Sequence, residues 1–210
     1  MTGVQTCALP ICIRLRDAGH ILGSAIVEIF LEENGVERKV VFSGDLGQKD
    51  MPILRDPVFV EEADLVMLES TYGDREHRGK QETLDEIGEA IKAAADAGGN
   101  LLVPSFAVGR AQDLLYLFGK HFDEWELDRW QVFLDSPMAI EATQVYMQHD
   151  DLYDKEAREL WKQHKEQSLL PNLHLNHTAK QSMKLNNVRS GAIIIAGSGM
   201  CTGGRIRHHI

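Results

Sequence analysis

AIVEIFLE (Ala25 to Glu32), Glu33-Asn34-Gly35 and ERKVVFS (Glu37 to Ser43) form the stretch on which the fold reading turns. Two strand-like apolar runs flank an Asn-Gly pair, the strongest short-range signal for a β-hairpin. The second run closes on Ser43-Gly44-Asp45, so Asp45 is expected just beyond a buried strand. Working outward, the chain alternates in strand fashion from Ile13 onward. Leu65 to Leu68 (LVML) is wholly apolar, as an internal strand would be, and Glu69 closes it. An antiparallel, β-rich part is therefore expected up to about Gly73.

Beyond Tyr72-Gly73 the texture changes. Lys80 to Ala97 predicts a helix with Leu84, Ile87, Ile91 and Ala94 on one face, ended by Gly98-Gly99. A strand over Leu101 to Val103, a helix over Gly109 to Phe118 and a strand over Trp130 to Leu134 follow. Ser136 is expected to cap the helix that Pro137 opens, with Asp135 ending the strand before it. Helical patterns cover Met138 to about Gln148 and Lys155 to Gln167, and Ala192 to Ala196 (AIIIA) reads as a last buried strand. Strands alternating with helices imply a parallel, Rossmann-like sheet covered on both faces. The expected class is α/β here and α+β over the whole chain.

Composition narrows the function. The 210 residues are 43% apolar and 26% charged, ordinary for a globular protein. No stretch approaches the roughly 18–20 apolar residues of a membrane helix. A formal net charge of -10 excludes a generally basic, nucleic-acid-coating surface but not a local cationic cleft.

Three residues in the first part draw attention together. His20 lies among small residues in Asp17-Ala18-Gly19-His20-Ile21-Leu22-Gly23-Ser24, and Asp45 and Glu69 each close a strand. Singly, His20 reads as a structural histidine and Asp45 as a turn residue. Glu69 is harder to dismiss, because a strand-end carboxylate needs a cation, hydrogen-bond donors or a catalytic task. One imidazole and two carboxylates are a donor mix that zinc accepts. In the second part, Ser105 and Arg110 lie in a strand-to-helix connection whose amides could hold a phosphate. Ser198, Gly199, Thr202, Gly203 and Arg205 form a second such loop; the alternative is that these glycines only make tight turns. His208-His209 is declined as a metal pair, since adjacent residues diverge. His174 and His177 are assigned to a solvated loop.

AGHILGSA around His20, FSGDLG around Asp45 and ESTYG from Glu69 resemble metal and acidic motifs of the metallo-β-lactamase superfamily, in its β-CASP nuclease branch. PSFAVGRAQ (104–112), DSPMA (135–139) and GSGMCTGGRI (197–206) resemble hallmark segments of the β-CASP domain, and all six stand in the family's order. The resemblance implies part of a metallo-β-lactamase αββα sandwich at 13–75, with an inserted Rossmann-like β-CASP domain over 76–210. It implies a two-zinc RNA phosphodiesterase: His20 a metal ligand, Asp45 the bridging carboxylate, Glu69 a catalytic-site carboxylate orienting a histidine. RNA is the expected partner, a homodimer is compatible, and no membrane is involved.

The same resemblance requires an HxHxDH motif before His20, which Ile13 to Gly19 lack, and further histidines after the Gly204 region. The chain is therefore expected to be a fragment, with an incomplete zinc site and no activity of its own. Thr2 to Ile11 resembles the translation of a sequencing adapter, so 1–12 is set aside as non-native. That leaves Cys201 as the one native cysteine, without a disulfide framework, and points to a reducing cytoplasm. A metallo-β-lactamase-fold hydrolase of another substrate and a non-catalytic RNA-binding paralogue are the rival readings. The segments after Gly73 speak against the first, and retention of His20, Asp45 and Glu69 against the second.

Overall fold

A computed structural model describes residues 5–8, 11–163 and 170–210. The chain divides into two compact units, 1–76 with 150–158, and 77–149 with 159–210.

The first unit is built on a five-stranded sheet in the order β1 (Gln5–Ala8), β2 (Ile11–Asp17), β3 (Ala25–Glu33), β4 (Val36–Phe42) and β5 (Leu65–Met67). The first four are antiparallel neighbours and β5 runs parallel to β4. Asn34 and Gly35 both take positive φ (54° and 76°), the backbone that a two-residue hairpin matching the strand twist requires. Leu65 to Leu68 was expected to be internal. It lies instead at the sheet edge with Leu65, Val66 and Met67 each 54–55% exposed, because β4 is its one partner among the described residues. Residues 5–8, within the segment set aside as an adapter scar, supply β1, and Cys12, opposite Cys7 in the register, is disulfide-bonded.

Glu28 is the buried charge of this sheet. Strand alternation puts it on the face of Ile26 and Phe30, beside Ala18, Ile26 and Val41 in the small core. Burial pushes its carboxyl up, but Arg14, Lys39 and Arg16 outweigh that and hold it down at about 2. The Lys39 Nζ and Arg16 Nε contacts are 2.7 and 2.9 Å, and Arg14 faces Glu28 directly across the strands. Arg14 and Lys39 also lie over the Phe30 ring.

Residues 150–158, which the sequence reading placed in the second domain, belong to this unit. Leu54 bridges Tyr153, Asp154 N–H donates to Ile53 O at 2.8 Å, and Arg55 Nε donates to Tyr153 O.

In the second unit the elements are α1 (Lys80–Asp96), β6 (Leu101–Pro104), α2 (Arg110–Lys120), β7 (Gln131–Asp135) and α3 (Pro137–Gln148). After them come α4 (Lys155–Gln163), begun in the other unit, β8 (Leu173–Leu175), α5 (Ala179–Leu185) and β9 (Ala192–Ala196). The end of the helix expected to reach Gln167 lies outside the described residues. The sheet is wholly parallel in the order β6-β9-β7-β8. Every residue of AIIIA is buried because both faces are covered. Val132, Leu134, Ile193 and Ile195 pack with Ile91 of α1, Leu115 and Phe118 of α2, and Ile140 of α3. Ala192, Ile194 and Ala196 pack with Leu185 of α5 and Ile206. Ser136 Oγ accepts from Ala139 N–H with Pro137 in the first helical turn, and Gly98 ends α1 at φ 61°.

Strand β8 and helix α5 differ from the expected solvated loop around His174 and His177. Leu173–Leu175 pairs with β7, His174 stacks on Phe133, and α5 opens on a reciprocal cap between Thr178 and Gln181.

Because the Glu28 carboxyl is depressed in the folded state, its stabilisation is present above the unfolded value near 4.5 and is lost as pH falls towards about 2. The shift corresponds to about 3 kcal/mol. Urea unfolding between pH 6 and 2 should show this loss, and Glu28→Gln should flatten it.

Candidate functional site

His20, Asp45 and Glu69 stand on three connections of the first unit, and glycines bring two of these together. The turn 18–24 closes when Ala18 N–H donates to Ser24 O, while Ser24 Oγ accepts from the His20 and Ile21 amides. Gly47 N–H donates to Ala18 O at 2.8 Å, so closely that a Cβ on Gly47 would lie 1.7 Å from Gly19 O. Only glycine permits that approach, and Asp45 is held on the same loop, exposed, two residues earlier. Glu69 joins the ends of β4 and β5. Its carboxylate accepts from Leu46 N–H (3.3 Å) and Thr71 N–H (3.0 Å), and its own N–H donates to Ser43 Oγ. The Thr71 amide and hydroxyl, the Leu46 amide and the charge of His20 hold the Glu69 carboxyl below its ordinary range. The strand-end glutamate thus has the donors that its position demanded, and they also brace the Asp45 loop.

These side chains do not make a zinc site by themselves. Among the described residues no three His, Cys, Asp or Glu side chains converge to hold a metal. His20 and Asp45 offer two donors where a zinc ion takes about four, and both Glu69 oxygens are engaged by backbone amides.

In the second unit the expected substrate residues gather at the carboxyl ends of β6, β9 and β7, where open α/β sheets place ligands. Ser105 is buried; its N–H donates to Ala196 O and its hydroxyl to Phe106 O. Gly199 is pressed on Phe106, whose ring a Cβ would meet at 3.0 Å. The loop 197–204 closes on itself through Ser198 N–H to Gly203 O and Ile206 N–H to Gly197 O. Ser198 Oγ is buried without a hydrogen-bond partner, and Thr202 is exposed. At the start of α2 the Gly109 amide donates to Gln112 Oε1 and the Ala111 amide to Phe106 O, so part of the expected phosphate cradle is satisfied internally. Arg110 is exposed and reaches Asp113 at 3.4 Å. Burial drives the Asp113 carboxyl up to about 6 against the pull of Arg110.

Arg205 was expected to face a phosphate. It turns inward: Nη1 donates to Asp135 Oδ1 and Asn176 O, both at 2.9 Å, and Nη2 to His177 O. Asp135 is fully buried and also receives the Ser182 hydroxyl (2.6 Å) and His209 Nε2 (2.8 Å). His209 Nδ1 meets Asn186 Oδ1 at 2.7 Å. The sequence reading gives Asp135 only the end of a strand and declines His209 as half of a metal pair, although a carboxylate closing a buried apolar strand is the same signal that singles out Glu69. His208 and His209 do diverge, one exposed and one inside.

Two things now define the class: a covered parallel sheet whose strand-end loops carry PSFAVGRAQ, DSPMA and GSGMCTGGRI, and, before it, an antiparallel unit carrying His20, Asp45 and Glu69. Residues 111–210 match the Beta-Casp domain model, and the chain belongs to the β-CASP metallo-β-lactamase family. It is 38% identical over 193 residues to a protein named Ribonuclease TTHA0252 of Thermus thermophilus, covering 92% of this chain and 43% of that one. An RNase J-like protein of Methanocaldococcus jannaschii is 29% identical over 92% of this chain and 44% of its own length. Endoribonuclease YSH1 of Yarrowia lipolytica is 30% identical over 70% of this chain and 18% of its own. The chain thus spans less than half the length of these relatives.

Removing Asp135 would leave Arg205 and His209 facing a buried gap. Asp135→Ala should cost about 3–5 kcal/mol in denaturant unfolding; a loss under about 1 kcal/mol would show that the network is not structural. For Glu69, the carboxyl carbon followed by NMR should titrate below the usual midpoint near 4.3, and a His20→Ala chain should move that midpoint upward.

Proposed function

We propose that the protein to which this sequence belongs hydrolyses RNA phosphodiester bonds, in the cytoplasm, with two zinc ions at the site to which His20 and Asp45 contribute. The reading is carried by one observation: Glu69 braces the Asp45 loop and senses the charge of His20, in a chain 38% identical to a named ribonuclease. The first unit would be part of a metallo-β-lactamase sandwich, and the second a β-CASP insertion lying over RNA.

Zinc would supply an activated water and a clamp for the scissile phosphate. His20 and Asp45 would supply only part of the donor set for such a site. What this chain contributes is positional. Asp45 presents an exposed carboxylate from a loop fixed by Gly47 and Glu69, and His20 presents an imidazole from a turn fixed by Ser24. Arg110, exposed at the start of α2, is the cation left facing outward among the expected substrate residues, Arg205 being held inside.

The 210-residue chain by itself should bind Zn²⁺ weakly in calorimetry and leave labelled RNA intact; robust metal-dependent cleavage by it would refute the incomplete site. Replacing the matching segment of the Thermus thermophilus ribonuclease with residues 13–210 should give a chimera that cleaves RNA. In that chimera Glu69→Gln should lower the rate about 10–100-fold, as loss of a partner that orients a metal ligand does. A chimera that binds zinc but cleaves no RNA would favour a different substrate.

A further inference from the structure

On the second unit, helix α1 and the segment 121–130 enclose an open groove of about 670 Å³ that plays no part in the chemistry above. Its floor is the outer edge of the core: Leu84 and Ala95 of α1 are partly buried, and Ile91, Trp125 and Trp130 beneath them show only a small edge, the two tryptophans being 8% and 4% exposed. Gly88 sets the depth, for a Cβ there would meet Trp125 Nε1 at 3.0 Å. Trp125 is fixed by edge contact with Phe118 and by stacking on His121, so the floor is rigid. Trp130 Nε1 is buried at this wall with no acceptor, a donor that costs stability while it stays unpaired.

The rims carry one dominant sign. Asp85, Glu89 and Asp96 on α1 and Glu124 and Glu126 opposite are all exposed, against two cations, Lys92 and Arg129. Arg129 is already paired with Glu126 at 2.7 Å. A groove this size holds several side chains rather than a single ion. Glu124 is likewise met by His121 Nδ1 at 2.6 Å, so the acids free of a cationic partner are those of α1, and a polyanion such as RNA would meet them along that rim.

From this groove we propose that α1 and the segment 121–130 dock a basic amphipathic peptide segment of a partner protein, its apolar side chains on Trp125 and Trp130 and its lysines or arginines on the two acidic rims. Helix-in-groove recognition of this kind needs an apolar floor and charged borders, both present here. The surface is separate from the strand-end loops, so the partner would tether or recruit the protein without competing for substrate.

The test uses the full 210-residue chain and a labelled 14-residue Leu/Lys amphipathic peptide, followed by fluorescence anisotropy and tryptophan emission. A Leu/Glu peptide of the same pattern and a single-stranded RNA oligonucleotide are the comparison probes. The Leu/Lys peptide should bind, and the triple variant Asp85→Lys/Glu89→Lys/Asp96→Lys should weaken it at least about tenfold. A control reversal of three exposed glutamates on the hairpin, Glu32→Lys/Glu33→Lys/Glu37→Lys, should change Kd by less than about twofold at the same net charge. Equal losses in the two variants would reduce the binding to net charge and overturn the proposal. So would absent binding of the basic peptide, or competition by the RNA. Far-ultraviolet circular dichroism of both variants, expected to match the parent, keeps the comparison on folded protein.

Discussion

A carboxylate withdrawn from water has to be met by counter-charges or donors fixed around it, because the surrounding protein cannot reorient as water does. Asp135 is the fullest case. It stands at the end of a strand with no exposure, and four partners from distant parts of the chain converge on or around it: Arg205, His209, Ser182 and, through His209, Asn186. That single requirement fixes where α5 begins its packing, where the chain after Gly204 must run, and which way Arg205 points. The strand-end loops of the second unit are therefore held from beneath by charge and from the sides by glycine contacts. The first unit solves the same problem twice, with three cations around Glu28 and backbone amides around Glu69.

These solutions differ in what they leave available for chemistry. Glu28 and Asp135 are closed: each carboxylate is buried and met on both oxygens by side chains fixed around it, and such groups hold a fold in one arrangement rather than react. Glu69 is open. Its donors are peptide N–H groups of the loops themselves, so the carboxylate ties those loops and is held in its charged form. A group that positions two connections and keeps its charge is suited to orienting a neighbouring base or ligand.

Local signals were legible wherever a residue's behaviour is set by its neighbours in sequence. Asn34-Gly35 dictates its hairpin, AIIIA its burial on two faces, Gly98 its helix stop and Ser136-Pro137 its helix start. What escaped was set by residues far away. Arg205 read as a phosphate ligand because its acceptor, Asp135, lies 70 positions earlier. Strand β8 has three residues and two exposed side chains, so no apolar period marks it; pairing with β7 makes it a strand. The Thr178–Gln181 cap was a readable signal for α5 that went unused. Glu28 was likewise readable as an odd charge on a core-facing strand position, although its cations come from two other strands.

The distribution of charge gives the net value of -10 a structural meaning. Cations inside both units are largely committed: Arg14, Arg16 and Lys39 to Glu28, and Arg205 to Asp135. Many acids remain at the surface, and those on α1 and the segment 121–130 line a tryptophan floor. A protein that acts on a polyanion gains from confining positive potential to a reactive cleft, since an acidic exterior sheds substrate and product elsewhere. On the proposed function, the acidic groove beside Trp125 and Trp130 would follow from the same distribution of charge, repelling an RNA substrate and leaving that surface for a partner of opposite sign.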